Sequence, residues 1–264
     1  MTVRVPVLMY HSVTDRPNAA TRPLAVTPAA FAEQLAALRE GGFTPLTLSG
    51  LLDAGRGLPG RPVVITFDDG YADFHSEALP ILTRFGFPAT VFTTSGWVQD
   101  AGHQEAGRRL DRMLSWGQLA EAAECGVEIG GHSHSHPQLD QLPTARLRDE
   151  LRRNKALLED RLGRAVTTMA YPYGYSSARV RAEVRAAGYT AACAVANDLL
   201  GGDGPDRYAL PRLTVGPATS IDRFRRATAG RSVGRIYLRE RVLTKGYAVV
   251  RRTRYGLRRV VRRD

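Results

Sequence analysis

Between residues 3 and 215 the sequence alternates short apolar, β-branched runs with stretches of helical period, about seven times over. No other feature constrains the fold as tightly, because parallel strands can only be joined by long crossovers, and helices are the usual ones. The pattern therefore predicts an α/β protein with a parallel sheet, either a barrel or a doubly wound sheet. Strands are expected over 3–9, 43–48, 63–67, 89–94, 127–129, 166–170, 189–196 and 208–215. Among the helices, Thr27-Pro28 opens the first as cap and first residue, with Phe31, Leu35 and Leu38 on its apolar side and Gly41-Gly42 as its stop. Ser115 caps another that runs through Leu119 to Cys125. Thr144 opens the longest, whose Leu147, Leu151, Leu158 and Leu162 mark one buried face before Gly163 ends it. The polar, aperiodic stretch 96–114 reads as an insertion over one end of the fold.

The run Val63-Val64-Ile65-Thr66-Phe67 delivers Asp68-Asp69-Gly70 to its own tip. Adjacent carboxylates on extended backbone point to opposite sides, so one can ligate a metal while its neighbour handles protons. Taken alone, Asp-Asp-Gly is also an ordinary turn. In α/β folds, however, the site lies beyond the C-terminal ends of the strands. His11, His132, His134, His136, Tyr171, Tyr173 and Arg212 are all expected there. Asp69, His132 and His136 offer one oxygen and two imidazole nitrogens, a set that suits zinc and leaves a position open for water. Gly130-Gly131 before and Pro137 after make a shaped loop of the histidine run rather than a helix face. His134 is expected beside the metal rather than on it, and His75 and His103 at the surface.

The net charge of +11 suggests nucleic acid until it is located. From Arg231 to Asp264 there are eleven Arg and one Lys against Glu240 and Asp264, which leaves only +1 for the first 230 residues. The sequence thus divides into a catalytic domain, 1–230, and a basic tail, 231–264. The tail interleaves arginines with Val249, Val250, Leu257, Val260 and Val261, a pattern for an anionic membrane surface or a partner enzyme, and nucleic acid is not expected. Cys125 and Cys193 are read as buried free thiols. The absence of a long apolar run and of a signal-peptide pattern leads to the expectation of a cytoplasmic protein, membrane-associated at most.

The motifs resemble those of the polysaccharide deacetylases, carbohydrate esterase family four with the NodB homology domain. Thr66-Phe67-Asp68-Asp69-Gly70 matches the first motif, which implies that Asp68 is the general base and Asp69 a metal ligand. His132-Ser133-His134-Ser135-His136 matches the second, whose first and last histidines complete the metal site. Pro172-Tyr173-Gly174 matches the end of the third and implies that the backbone N–H of Tyr173 holds the oxyanion. Leu8-Met9-Tyr10-His11 and Leu210-Pro211-Arg212 look like the branch acting on poly-N-acetylglucosamine. The resemblance spans about residues 5–215 and implies a distorted, incomplete (β/α)7-type barrel with parallel strands and outer helices. It implies a metal-dependent hydrolase that removes N-acetyl groups from a sugar or polysaccharide, and the ligand set itself points to a divalent ion, zinc before others.

Two places depart from the family pattern. Tyr171 stands where the third motif usually has Arg, and Leu213-Thr214-Val215 stands near where a Leu-x-His would supply the general acid. Arg212 is weighed as the substitute partner of Asp68 against a surface salt bridge, and His11 as the general acid against a substrate-binding or loop histidine. Trp97, Trp116, Tyr173 and Tyr175 are candidates for stacking on sugar rings. The departures keep two alternatives open: hydrolysis of another amide or an O-acetyl ester, or a non-catalytic carbohydrate-binding relative.

Overall fold

The computed structural model describes residues 4–55, 57–201, 206–244 and 246–247. In chain order, β1 (Val7–Tyr10) is followed by β2 (Ser12–Val13), β3 (Ala25–Val26), α1 (Pro28–Glu40), β4 (Thr44–Leu46), α2 (Leu48–Asp53) and β5 (Pro62–Phe67). A π-helical turn, Phe74–Ala78, leads into α3 (Leu79–Phe85), β6 (Thr90–Thr93), α4 (Trp116–Glu124), β7 (Glu128–Gly131) and α5 (Thr144–Leu162). The chain continues through β8 (Thr168–Ala170), α6 (Ala178–Ala186), β9 (Ala191–Cys193), β10 (Leu213–Thr214), α7 (Ile221–Thr228) and α8 (Val233–Ile236).

Eight of the strands form one parallel sheet in the order β10-β1-β5-β6-β7-β8-β9, with β4 paired to the first half of β5 and β6 to its last two residues. At the far edge, Leu210 donates to Ala192 of β9 and accepts from Ala194 just after it, before the chain enters β10, which pairs with β1. The sheet therefore curls round into a half-barrel, a distorted and incomplete (β/α)7 barrel surrounded by helices. Of the two architectures that the alternation allowed, this is the one the family resemblance implied.

Local chemistry sets the helix ends. The Thr27 hydroxyl accepts the N–H of Ala30 with Pro28 at the first helical position, and Ser115 and Gln118 make a reciprocal capping box. Gly163 stops α5 in the left-handed conformation, at φ 63°, where a Cβ would be strained. The strand Pro62–Phe67 is buried along its whole length and apolar but for Thr66, because both of its faces are covered.

Several expectations shift. The first strand starts at Val7 because Pro6 cannot donate to a ladder, and the last condenses to Leu213–Thr214 with one extra bridge from Leu210 to Cys193. Leu162 is only partly buried, whereas Glu150 and Asn154 share the buried face of α5 with Leu147, Leu151 and Leu158. Cys193 is buried and free as expected, but Cys125, free as well, is exposed at the end of α4. The compositional break at Gly230 is not a packing boundary: Val233 and Tyr237 are in the core, and the Tyr237 hydroxyl donates to the Thr214 carbonyl at 3.0 Å. The rest of the tail, from residue 248, lies outside the described residues. Among the described residues no helix is long and apolar enough to cross a membrane.

Candidate active site

The site gathers at the C-terminal rim of the sheet. His11 leaves β1, Asp68 and Asp69 leave β5, the loop 132–136 leaves β7, and Tyr171 to Tyr173 leave β8. Arg212 is the exception among the residues expected at strand tips. It precedes β10 and enters from the seam between β9 and β10, where its Nε donates to the Ala194 carbonyl. The backbone is unusually contorted at this rim. Asp69, Ser133, His136 and Tyr173 all have φ between 58° and 73°, a region that side-chain-bearing residues enter only when their surroundings enforce it.

Asp69, His132 and His136 each place one donor atom within 4.8 Å of the other two. The Nε2 atoms of His132 and His136 lie 3.3 and 3.1 Å from Asp69 Oδ1, itself buried. His132 Nδ1 is 2.9 Å from the Ala170 carbonyl, which can only accept. Nδ1 therefore donates to that carbonyl, which fixes the ring with Nε2 turned towards Asp69. One carboxylate oxygen and two imidazole nitrogens converging in this way form a group that could hold a divalent metal ion.

Beside this group, Asp68 is gripped by Arg212. Nη1 donates to Oδ1 at 2.6 Å and to the Thr66 hydroxyl at 3.1 Å, while Nη2 donates to Oδ2 at 2.7 Å. Arg212 is wholly buried, so the alternative of a surface salt bridge is excluded. Burial alone would raise the Asp68 carboxyl, but the charge and hydrogen bonds of Arg212, with His132 adding to them, hold it below its ordinary value. For His11 burial wins: its pKa is lowered in spite of the nearby carboxylates of Asp68 and Asp69.

Trp97 is buried and stacks on the His136 ring, with centroids 4.7 Å apart, so it supports a histidine rather than offering a face to sugar. Trp116, half-buried, packs against the core at the start of α4. Tyr173 remains a candidate platform: it is 53% exposed, meets His136 edge-on and stacks with Tyr175. Tyr171 is buried and donates its hydroxyl proton to the Tyr208 carbonyl, away from Asp68. His134 is outside the donor group, its Nδ1 3.0 Å from the Ser95 hydroxyl. His75 pairs with Glu121, and His103 is exposed. Sequence reasoning missed Trp97 as a support for His136, and also Glu150 and Asn154, which bond the histidine loop. Two polar residues interrupting the leucine stripe of α5 were the available signal.

Comparison with known proteins points to one family. The family model described as polysaccharide deacetylase matches residues 55–192. The chain is 27% identical to the Bacillus subtilis (strain 168) protein YxkH over 84% of this chain and 75% of that protein. It is 34% identical to the poly-β-1,6-N-acetyl-D-glucosamine N-deacetylase of Escherichia coli (strain K12), over 49% of this chain but only 20% of that longer relative. Among solved structures, IcaB from Ammonifex degensii superposes with a TM-score of 0.71 at 27% identity, covering 86% of this chain and 96% of that one. Streptococcus pyogenes deacetylase PplD in complex with acetate gives a TM-score of 0.75 at 24% identity over 84% and 96%, a likeness of fold.

Proposed function

The chain belongs to the polysaccharide deacetylase family, and we propose that it is a zinc-dependent N-deacetylase of a poly-N-acetylglucosamine-type substrate. The observation that carries this reading is the convergence of Asp69, His132 and His136 next to an Asp68 kept ionised by Arg212. The β-1,6-linked polymer is suggested by the Escherichia coli relative's name.

Asp69, His132 and His136 would hold a divalent ion, which would supply Lewis acidity at this site. Asp68, with its carboxyl low and fixed by the Arg212 fork, takes the proton from the attacking water. The backbone N–H of Tyr173, aimed by a left-handed residue, donates to the developing oxyanion, a contribution typically worth about 3 kcal/mol. His11, its pKa lowered by burial, is the proton donor to the leaving amine in this reading.

The basic C-terminal segment locates the enzyme rather than taking part in the reaction. Leu238, Val242, Leu243 and Tyr247 are exposed on it, and it carries nearly all of the net charge, a combination that complements an anionic lipid surface. Co-sedimentation with phosphatidylglycerol vesicles but not with phosphatidylcholine vesicles supports this. Binding to neither points to a partner enzyme instead.

The deciding experiment is acetate release from N-acetylglucosamine oligomers by the wild type and Asp68→Asn, each chelated and then supplied with zinc. Zinc-dependent release that disappears in Asp68→Asn is the expected result. Zinc uptake without acetate release, followed by activity on O-acetyl esters or other amides, would replace the N-acetyl reading with one of the alternatives.

A further inference from the structure

We propose that Glu150 and Asn154 on α5 are positioning residues that set the metal affinity of the site by bracing the loop between His132 and His136. The inference rests on the metal reading above. Neither side chain is a member of the donor group, and each acts through the backbone.

Both interrupt the apolar face of α5, between Leu147 and Leu158, at depths where a polar side chain is costly unless its hydrogen bonds are met. Glu150 is 6% exposed. Its carboxylate accepts the N–H of His134 at 3.0 Å, the N–H of Ser135 at 2.8 Å and the Ser135 hydroxyl at 2.5 Å. Asn154, fully buried, donates from Nδ2 to the carbonyls of Ser133 at 2.7 Å and Thr93 at 3.0 Å, while its Oδ1 accepts the Tyr189 hydroxyl at 3.0 Å. The clamp is tight at the loop's root as well. A Cβ on Gly131 would lie 2.4 Å from both Asn154 Oδ1 and the Tyr189 hydroxyl oxygen, so only glycine fits ahead of His132.

What the brace opposes is visible in the backbone. Ser133 and His136 sit at φ 64° and 58°, conformations that a free loop of serines and histidines would leave. Within the loop, the Ser133 hydroxyl accepts the N–H of His136 at 3.1 Å. That bond fixes the turn internally; the Gly96 N–H, which donates to the His134 carbonyl at 2.8 Å, and the Trp97 ring tie it to the wall on one side, and α5 ties the backbone of Ser133 to Ser135 on the other. With Glu150 removed, the N–H groups of His134 and Ser135 lose their partner and the left-handed residues relax. His136 Nε2 then leaves its position 3.1 Å from Asp69. Losing the outer support of a ligand typically costs 10- to 100-fold in metal affinity.

The test is zinc titration of the chelated protein in competition with a chromophoric chelator, for wild type, Glu150→Ala, Glu150→Gln, Ser135→Ala and the control Glu183→Gln, whose carboxylate pairs with Arg148 at the surface. Glu150→Ala is expected to bind zinc about 10- to 100-fold more weakly and Glu150→Gln to recover part of that loss. Ser135→Ala, missing one of the three bonds, should show a smaller loss in the same direction and keeps the test decisive if Glu150→Ala does not fold. The control should match the wild type. Lowered melting temperatures of the zinc-free variants combined with wild-type zinc affinity would reduce Glu150 to a structural residue and overturn the inference. A wild type that takes up no zinc removes the metal reading and this inference together.

Discussion

Arg212 holds Asp68 through two parallel hydrogen bonds, 2.6 and 2.7 Å long, between residues 144 positions apart in the chain. The planar guanidinium matches both carboxylate oxygens at once, something a lysine ammonium cannot do. The pair is buried, and it links the β9–β10 seam to the tip of β5, so one contact both fastens the curled sheet and sets the charge of the proposed base.

Arg212→Ala leaves a buried carboxylate without its counter-charge. A loss of about 3–5 kcal/mol in stability is expected from denaturant titration. Burial, which pushes Asp68 up, is then no longer opposed by the guanidinium. A base must be ionised to act, so the acid limb of the kcat/KM profile moves to higher pH. Arg212→Lys, which keeps the charge and loses the fork, should fall between the two. An acid limb that stays put in both variants would separate Asp68 from the pH dependence of catalysis.

Asp73 offers a second pH effect, this time on stability. Burial raises its pKa to about 6, against a hydrogen bond from the Ser12 hydroxyl, and its Oδ1 is buried without a hydrogen-bond partner. A folded-state pKa above the unfolded value of about 3.9 means that the native protein binds more protons in between, so stability falls as pH rises from about 4 to about 6. The shift corresponds to no more than about 3 kcal/mol. Asp73→Asn is neutral throughout and should be the more stable protein at pH 7, with its melting-temperature advantage growing across that window. Parallel curves for the two proteins would show that Asp73 is not the source.

Trp97 and Tyr173 both touch His136 but should fail differently. Trp97→Ala removes a buried ring from behind a proposed ligand, and kcat/KM at limiting zinc should drop about tenfold, with much of it restored at excess zinc. Tyr173→Ala removes an exposed ring at the mouth and leaves the backbone N–H in place. Its KM for oligomers should rise several-fold while kcat stays within about twofold. The opposite split in steady-state kinetics would exchange the two roles.

Truncation separates the tail from the domain. Ending the chain after Tyr247 should leave turnover on soluble oligomers unchanged, because the removed residues include none of the proposed site and carry mainly arginine charge. Ending it after Gly230 removes Val233 and the buried Tyr237, whose loss alone should cost about 3 kcal/mol, and thermal unfolding should move down accordingly. Equal stability of the two truncations would return the domain boundary to Gly230.

Much of the site was legible because its residues sit next to strong local signals. Asp68 and Asp69 end the most apolar strand, and His132 and His136 lie between a glycine pair and a proline, so hydrophobic period and turn chemistry alone placed them at one rim. Trp97 on His136 and Glu150 beneath the histidine loop were harder to see. Each carries its role through a partner that is remote in sequence, and no periodicity encodes a partner.

By itself, then, the sequence determined the alternation of strands and helices, the helix caps and stops, and which side chains could be brought to the strand tips, since these follow from backbone preferences within a few residues. Hydrophobic period alone left barrel and doubly wound sheet both open; the motif resemblance implied the incomplete barrel, and the tertiary structure has the sheet curl into it. The tertiary structure alone decided that Arg212 enters from the seam to neutralise Asp68, and that packing continues past Gly230 to Tyr237. Those outcomes depend on how strands far apart in the chain curl against one another, and on buried charges that can be accommodated only when a partner from elsewhere in the fold meets them.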